Sequence, residues 1–394
     1  MQNRNILISG AGIAGPTLAY WLLRRGFTPT IVERAPALRT GGYMIDFWGA
    51  GYDVAERMGL LPVLHDDGYR MEELRLVDAR GRRIAGFDAS VFRSATHGRF
   101  TSLRRGDLAR RIYELVDGRI ETIFGESVTA LHEDPIGVTV DFERSPRRRF
   151  HLVVGADGLH SNVRAHVFGD EERFEKFLGY YTAAFSADGY PHRDEGAYVA
   201  YALPGRQVAR YALRGGRSAF FFVFAHDRGV DVGHHDVAAQ KALLRRTYGG
   251  AGWECREILA AMDGADDLYF DAVAQTRMPG WSSGRVALVG DAAYCPSLLA
   301  GQGSALAMAG AYLLAHALAA AEGDHARAFA DYQHRFKPLV DAKQAAAARF
   351  GSWFAPRTAL GVRIRNLATS LMNVPLVAHL LAGRSLEDRI ELPD

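Results

Sequence analysis

The chain has 394 residues, 48% of them hydrophobic and 23% charged, with a formal net charge of +2. That length can bury enough core for two domains or more, and the near-balanced charge argues against nucleic acid or another polyanion as partner. The two cysteines, Cys255 and Cys295, lack metal-ligand spacing and suggest no disulfide framework, so no metal is expected and a cytoplasmic location is.

In chain order, Asn5-Ile6-Leu7-Ile8-Ser9 is a short apolar run of the kind that forms a buried parallel strand. Its apolar core begins at Ile6, too early for a signal peptide. The turn Gly10-Ala11-Gly12-Ile13-Ala14-Gly15 follows, then a helix from residue 17 that stops at Gly26, then a second strand running into Glu33. Together these make a dinucleotide-binding unit. Gly10 permits the tight turn, Gly12 lets the backbone approach a pyrophosphate, and Gly15 lets helix and strand pack closely. The helix N-terminus offers free amides and a partial positive charge to phosphates. Glu33 is placed to accept from an adenosine ribose hydroxyl and to disfavour a 2′-phosphate.

Helices are expected up to about residue 72. Residues 73–87 alternate as a strand pair, with Asp78-Ala79-Arg80-Gly81 as its turn. A helix is expected over 107–116, after Leu103-Arg104-Arg105-Gly106. Strand-like segments around Val128 and Val138 lead to a second buried strand, 150–154, and to the motif Gly155-Ala156-Asp157-Gly158. The basic run Arg147-Arg148-Arg149 reads as a solvated hairpin tip. From 173 to 275 the composition shifts to aromatic-rich strands over 198–203, 208–213 and 219–225, separated by Pro204-Gly205 and Gly215-Gly216. That pattern predicts an antiparallel sheet of four or more strands with one face open to a ligand. His234-His235 reads as surface loop, since adjacent histidines point apart.

The α/β style returns at 285–289 and ends at Gly290-Asp291-Ala292-Ala293. Asp291 then sits at a strand's carboxyl end, the ligand edge of an open parallel sheet, where it can accept from a polyol such as a ribityl chain. Pro296 and Gly301-Gln302-Gly303 follow, and the glycines let backbone amides approach a planar ring. The apolar helix after Ser304 aims its positive end at the same place. A solvent-exposed loop with an N-cap aspartate is the plainer alternative. The stretch 306–321, broken by His316, is short for a membrane span and reads as a buried helix, so no integral membrane association is expected. After about 345 the tail reads as one or two helices interrupted by Pro356 and Pro375.

The expected fold is therefore α/β. A discontinuous Rossmann-like FAD-binding domain (1–72, 101–172 and 276–345) carries an inserted, mostly antiparallel β-sheet substrate domain (73–100 and 173–275) and a C-terminal helical segment (346–394).

These motifs resemble those of the single-component flavoprotein aromatic hydroxylases, the family of para-hydroxybenzoate hydroxylase and the tetracycline-inactivating monooxygenases. The likeness rests on Gly10 to Gly15 with Glu33-Arg34, on Gly155-Ala156-Asp157-Gly158-Leu159-His160-Ser161-Asn162-Val163-Arg164, on Arg105-Gly106-Asp107-Leu108, and on Gly290-Asp291 with Pro296 and Gly301-Gln302-Gly303. The resemblance implies FAD held by Gly10, Gly12, Ile13, Ala14, Gly15, Glu33, Arg34, Arg39, Arg105, Asp157, Gly290, Asp291, Pro296, Gly301, Gln302 and Gly303. Within that set Glu33 would hold the adenosine ribose, Arg105 the middle of the cofactor and Asp291 the ribityl chain. Asp157 would lie where the family links FAD to NAD(P)H, with a structural Asp157–Arg164 ion pair as the alternative. NADPH or NADH would bind transiently as reductant. O2 would then add at flavin C4a, and the hydroperoxide would pass one oxygen to an aromatic or polycyclic substrate, in antibiotic biosynthesis or inactivation.

The chain departs from the family pattern in places. Tyr294 and Cys295 stand where a histidine is frequent, the 296–301 stretch is one residue longer, and Ser304-Ala305 replaces a frequent asparagine. Cys295 reads as an ordinary buried thiol. Tyr211, Phe220, Phe222 and Phe224 are the named substrate-pocket candidates, with Tyr180, Tyr181 and Phe221 beside them; in an alternating strand about half must face away. No catalytic residue is identified. Two alternatives stay open: a flavin reductase or oxidase acting on a prenyl or polyene chain, and a flavin-carrying protein that sequesters a drug. A monomer or homodimer is expected.

Overall fold

Asn5–Ser9 lies inside a sheet of six strands, ordered Ser282–Ser283, Val286–Leu288, Leu152–Gly155, Asn5–Ser9, Thr28–Glu33 and Glu121–Phe124. Neighbours run parallel except the edge pair of Ser282–Ser283 with Val286–Leu288. The structure, a computed structural model, describes residues 4–39, 41–226, 230, 232–233, 236–373, 388 and 390–394. Thr28–Glu33 and Glu121–Phe124 are laid down on one side of the first strand, and Leu152–Gly155 and Val286–Leu288 on the other. The order thus reverses at Asn5–Ser9, which opens a crevice at the carboxyl ends of the central strands. These strands are apolar on both faces because both faces are covered: Ile6, Leu7, Ile8, Val153, Val154 and Leu288 are fully buried.

The helix Gly303–Ala320 packs on Ala14–Arg24 and on Ala50–Arg57. Among the described residues it is the one helix long and apolar enough to cross a membrane, yet 72% of it is buried inside the molecule, as a core helix should be. The fit is close. A Cβ on Gly51 would stand 2.3 Å from the Cα of Ala305, so glycine is required where the two helices cross.

The second sheet has seven strands in the order Tyr269–Thr276, Glu175–Ala187, Ser218–Ala225, Arg206–Ala212, Ala197–Leu203, Glu73–Val77 and Arg83–Asp88. Only Ala197–Leu203 with Glu73–Val77 is parallel. Two distant stretches of sequence, 73–88 and 175–276, thereby share one sheet. The 78–81 turn forms as well, with the Gly81 amide donating to the Asp78 carbonyl at 2.9 Å and Gly81 at φ +77°.

Other expectations are corrected. Met44–Trp48 is a strand paired antiparallel with Phe100–Arg104, in a region expected to be helical. Its partner lies far along the chain, so local periodicity could not reveal it. The arginine run does lie at a solvated hairpin end, between Gly137–Phe142 and Arg148–Phe150 with Arg147 and Arg149 exposed, and its side chains also pair with Asp141, Glu121 and Asp134. The helix His325–Phe354 runs straight through residue 345, and the next one, Ala359–Leu371, starts after Pro356. His234-His235 and Pro375 lie outside the described residues.

Candidate flavin site

Four carboxyl-end turns of the parallel sheet meet at the crevice. At the first, Gly10 has φ +107°, and its amide donates to the Val32 carbonyl at 2.7 Å. A Cβ on Gly10 would press on the Ala156 carbonyl at 2.5 Å, so the first and second glycine motifs are in backbone contact. A Cβ on Gly290 (φ +70°) would reach the Ala14 Cβ at 3.0 Å, which brings the third motif against the start of the first helix. Ile13 and Ala14 are buried at that helix start, with the Thr17 hydroxyl donating back to the Ile13 carbonyl at 2.7 Å.

Gly12 differs from its neighbours. A Cβ there would meet only the Arg105 guanidinium, 3.8 Å away. The space beside Gly12 is therefore a cradle walled by backbone amides and one arginine, as a pyrophosphate requires. Among the described residues Arg105 makes no ion pair, although its charge acts on Asp291 and on the phenols of Tyr43 and Tyr269. An unpaired cation beside open amides fits the phosphates of FAD.

Glu33 closes the adenosine end. Its two carboxylate oxygens accept from the amides of Ala11 (2.8 Å) and Ala35 (2.9 Å), which leaves lone pairs free for ribose hydroxyls. Arg34 and Arg39 are exposed, and among the described residues no ion pair fixes either one.

At the opposite end, Asp291 opens a one-turn helix, and its carbonyl accepts from the Thr276 hydroxyl at 2.8 Å. Burial raises its carboxyl pKa; the Arg105 charge and a hydrogen bond with Cys295 lower it. A Cβ on Gly303 would stand 3.6 Å from that carboxylate, so Asp291 faces the first turn of the Gly303–Ala320 helix. Gln302 is buried at the N-cap, and Gly301 (φ +66°) turns the chain beside the ring of Trp48. Pro296 is buried, its carbonyl accepting from Gln275 at 2.9 Å.

Asp157 and Arg164 are not an ion pair. The Asp157 carboxylate accepts from the hydroxyls of Ser9 and Ser161 and from the Val163 amide. Arg164, 1% exposed, donates to the carbonyls of Ala292 (3.0 Å) and Leu159 (2.6 Å) and pairs with Glu171 at 2.9 Å. It ties the second motif to the third. Beside it, His160 bonds Glu171 at 2.8 Å and faces Asp271 at 3.4 Å. Burial opposes its charge, but the two acids outweigh burial and raise its pKa to about 10.

Cys295 is a buried thiol whose pKa is raised, by burial first and by Asp291 second, so it is not a thiolate. Tyr294 turns away from the crevice into the core, where its hydroxyl meets that of Tyr332 at 3.1 Å.

The substrate expectations divide by strand face. Phe220, Phe222 and Phe224 point to the outer side of the seven-stranded sheet, packed with Leu244, Tyr248 and Ile258 of the helices Val237–Tyr248 and Cys255–Ala261. They are core residues and not pocket residues. Their alternation is visible in the sequence, but not which face a later pair of helices would cover. Tyr181 goes with them, stacked on Phe224. Tyr211 faces inward, edge-on to Tyr69, and Phe221 and Tyr180 also lie on the inner face. Sequence reasoning missed Asp46, a buried carboxyl accepting from the Ser102 hydroxyl, whose pKa burial raises. It also missed Trp48. Both hang from the unexpected strand.

Comparison with known proteins agrees with this geometry. Residues 3–343 match the model of a family described as an FAD binding domain, and the chain belongs to that family. A Mycobacterium tuberculosis protein, Rv1260, is 39% identical over 345 residues, covering 86% of this chain and 92% of its own. A flavin-dependent monooxygenase of Legionella longbeachae is 35% identical over 358 residues, with 89% of each chain covered. The crystal structure of tetracycline destructase Tet(51) superposes with a TM-score of 0.85 at 32% identity over 100% of both chains. Klebsiella pneumoniae HpxO with FAD and uric acid shares the fold, with a TM-score of 0.80 at 22% identity over 99% and 98% of the two chains. The class is that of the single-component FAD monooxygenases, with the para-hydroxybenzoate hydroxylase-like fold.

Proposed function

We propose that this chain uses NADPH or NADH and O2 to hydroxylate a flat aromatic or polycyclic small molecule, with tetracycline-like polyketides the first class to test. The observation that carries this reading is the convergence of the Gly12 cradle, Arg105 and Asp291 in one crevice that also faces the inner side of the seven-stranded sheet. Bound FAD supplies the redox chemistry that links the nicotinamide to O2 and to the substrate.

The protein's own residues do the rest. Gly12 and Arg105 take the pyrophosphate, Glu33 the adenosine ribose and Asp291 the ribityl chain. Arg34 and Arg39, exposed at the rim, guide the anionic cofactor by charge. The first turn of Gly303–Ala320 presents its amides and dipole to whatever negative charge gathers at the adjoining ring edge. Trp48, Tyr43 and Tyr269 keep water from that edge. The named relatives, a flavin-dependent monooxygenase and a tetracycline destructase among them, support oxygenation over sequestration.

The test is NADPH and NADH oxidation by the FAD-loaded protein, with a panel of aromatic compounds including tetracycline, under 18O2. Oxidation that accelerates with one compound and places one labelled atom in its product supports the proposal. Flavin that no nicotinamide reduces, or a product without label, overturns it.

A further inference from the structure

The start of the helix Ala50–Arg57 is clasped from two sides. On one side Gly51 lies against Ala305, in the first turn of the Gly303–Ala320 helix. On the other stands Asp388, 338 residues further along the chain, whose Oδ2 accepts from the Ala50 amide at 2.7 Å. A Cβ on Gly49 (φ +73°) would come within 2.2 Å of that same oxygen. Gly49 sits at the N-cap and has no side chain to satisfy the first amides, so the distant aspartate supplies the missing acceptor.

Asp388 is itself held in place. Lys343, 8% exposed on the helix His325–Phe354, sets its Nζ 2.5 Å from Asp388 Oδ1. The residues that follow are tied to the other end of the same short helix. Arg57 donates to the carbonyls of Leu392 (3.1 Å) and Pro393, and the Tyr312 hydroxyl of Gly303–Ala320 also donates to Pro393. Ile390 and Leu392 lie against the main core. Asp388 and residues 390–394 thereby bracket both ends of Ala50–Arg57.

A buried ion pair adds little net stability over apolar side chains of the same volume, because desolvation offsets the attraction. What Lys343 and Asp388 provide is a fixed position for one turn of backbone. That turn meets the flavin-facing segment at two points. Trp48, next to Gly49 in sequence, sets its ring beside Gly301, and Gly51 touches Ala305. Both contacts flank Gly303, which the Asp291 carboxylate faces.

We propose that Asp388, held by Lys343, is a positioning residue of the flavin site. It sets the Gly49–Gly51 turn, and through that turn the Gly301–Ala305 segment at the ring end of the cofactor. The adenosine and pyrophosphate end, bound by Gly12, Arg105 and Glu33, is independent of it. The proposal rests on the flavin assignment and not on the hydroxylase reading.

The test compares FAD with ADP, which carries the adenosine and pyrophosphate but neither ribityl chain nor ring. Fluorescence titration measures FAD and calorimetry measures ADP, each on flavin-free protein that circular dichroism shows to be folded. Asp388 is varied together with Lys343→Met, so that no lone charge is left buried. Lys343→Met with Asp388→Ala is expected to lower FAD affinity about tenfold, the scale of one lost hydrogen bond, while ADP affinity stays within about twofold of the parent's. Lys343→Met with Asp388→Asn keeps an acceptor for the Ala50 amide and should restore FAD affinity to near the parent's. Arg57→Met, which releases Leu392 and Pro393 and leaves the ion pair alone, should weaken FAD by a few-fold and spare ADP; it carries the test if the double variants do not fold. Parent-like FAD affinity without the carboxylate, equal losses of FAD and ADP, or no recovery with asparagine overturns the proposal. A parent that takes up no FAD overturns the flavin assignment as well, whereas the other adverse results leave that assignment standing.

Discussion

A Cβ placed on Gly15 would stand 1.9 Å from the carbonyl oxygen of Gly10, so these two glycines hold the first turn by backbone contact alone. Gly12, between them, touches nothing of the kind; its Cβ position opens on the cradle beside Arg105. One motif therefore contains two different demands, one from the fold and one from the cofactor.

The two demands separate by mutation. Gly15→Ala forces backbone to move and should cost about 1–3 kcal/mol of stability, as overpacking does. Thermal unfolding of the flavin-free protein should show a lowered Tm. Gly12→Ala should leave that Tm within a degree or two of the parent while flavin retention on a desalting column collapses. Equal loss of Tm in both variants would mean that Gly12 also serves the fold.

Asp291 offers a second test of the cofactor's place. Asp291→Ala removes a carboxylate that faces the Gly303 turn and lies within the field of Arg105. FAD affinity should fall by roughly 10- to 100-fold, the usual range for a hydrogen bond to a charged group. Fluorescence titration of the flavin-free protein with FAD measures it. Unchanged affinity would remove Asp291 from the site.

Much of this arrangement was legible before any coordinates, and the reason is local. Gly10, Asp157 and Asp291 each come within three residues of the end of a buried apolar strand, and a strand, a tight turn and a helix start are all short-range features. The same holds for the 78–81 turn. What could not be read depends on pairings between distant segments. Met44–Trp48 becomes a strand only because Phe100–Arg104 lies beside it, and with it come Asp46 and Trp48. Arg365 is buried beside Gln207 only because the Ala359–Leu371 helix packs there, far along the chain. The Phe220 face was a matter of which layer the Val237–Tyr248 helix would choose, and period-two alternation is blind to that.

His160 gives a pH signature. Its folded pKa, raised to about 10 by Asp271 and Glu171 against the effect of burial, lies above the ordinary imidazole value of about 6.5. The charged ring's contribution to stability is therefore fully present below about pH 6.5 and is lost as pH rises through about 10. The Tm difference between the parent and His160→Gln should shrink across that interval and vanish above it. A difference that stays constant with pH would show that the ring acts by shape and not by charge.

The two faces of Ser218–Ala225 make the last prediction. Phe222 is fully buried against the outer helices, with its ring 5.0 Å from that of Tyr248. Phe221 lies on the inner face, among residues that border Ala200 and Ala209. Phe222→Ala should therefore cost about 3–5 kcal/mol in chemical denaturation. At temperatures where it stays folded, its ligand affinity should match the parent's. Phe221→Leu should do the reverse: a small change in stability, since the volume is largely kept, and a several-fold change in affinity for a flat aromatic ligand. Affinity lost through Phe222 with Phe221 silent would mean that ligands enter from the helical side of the sheet.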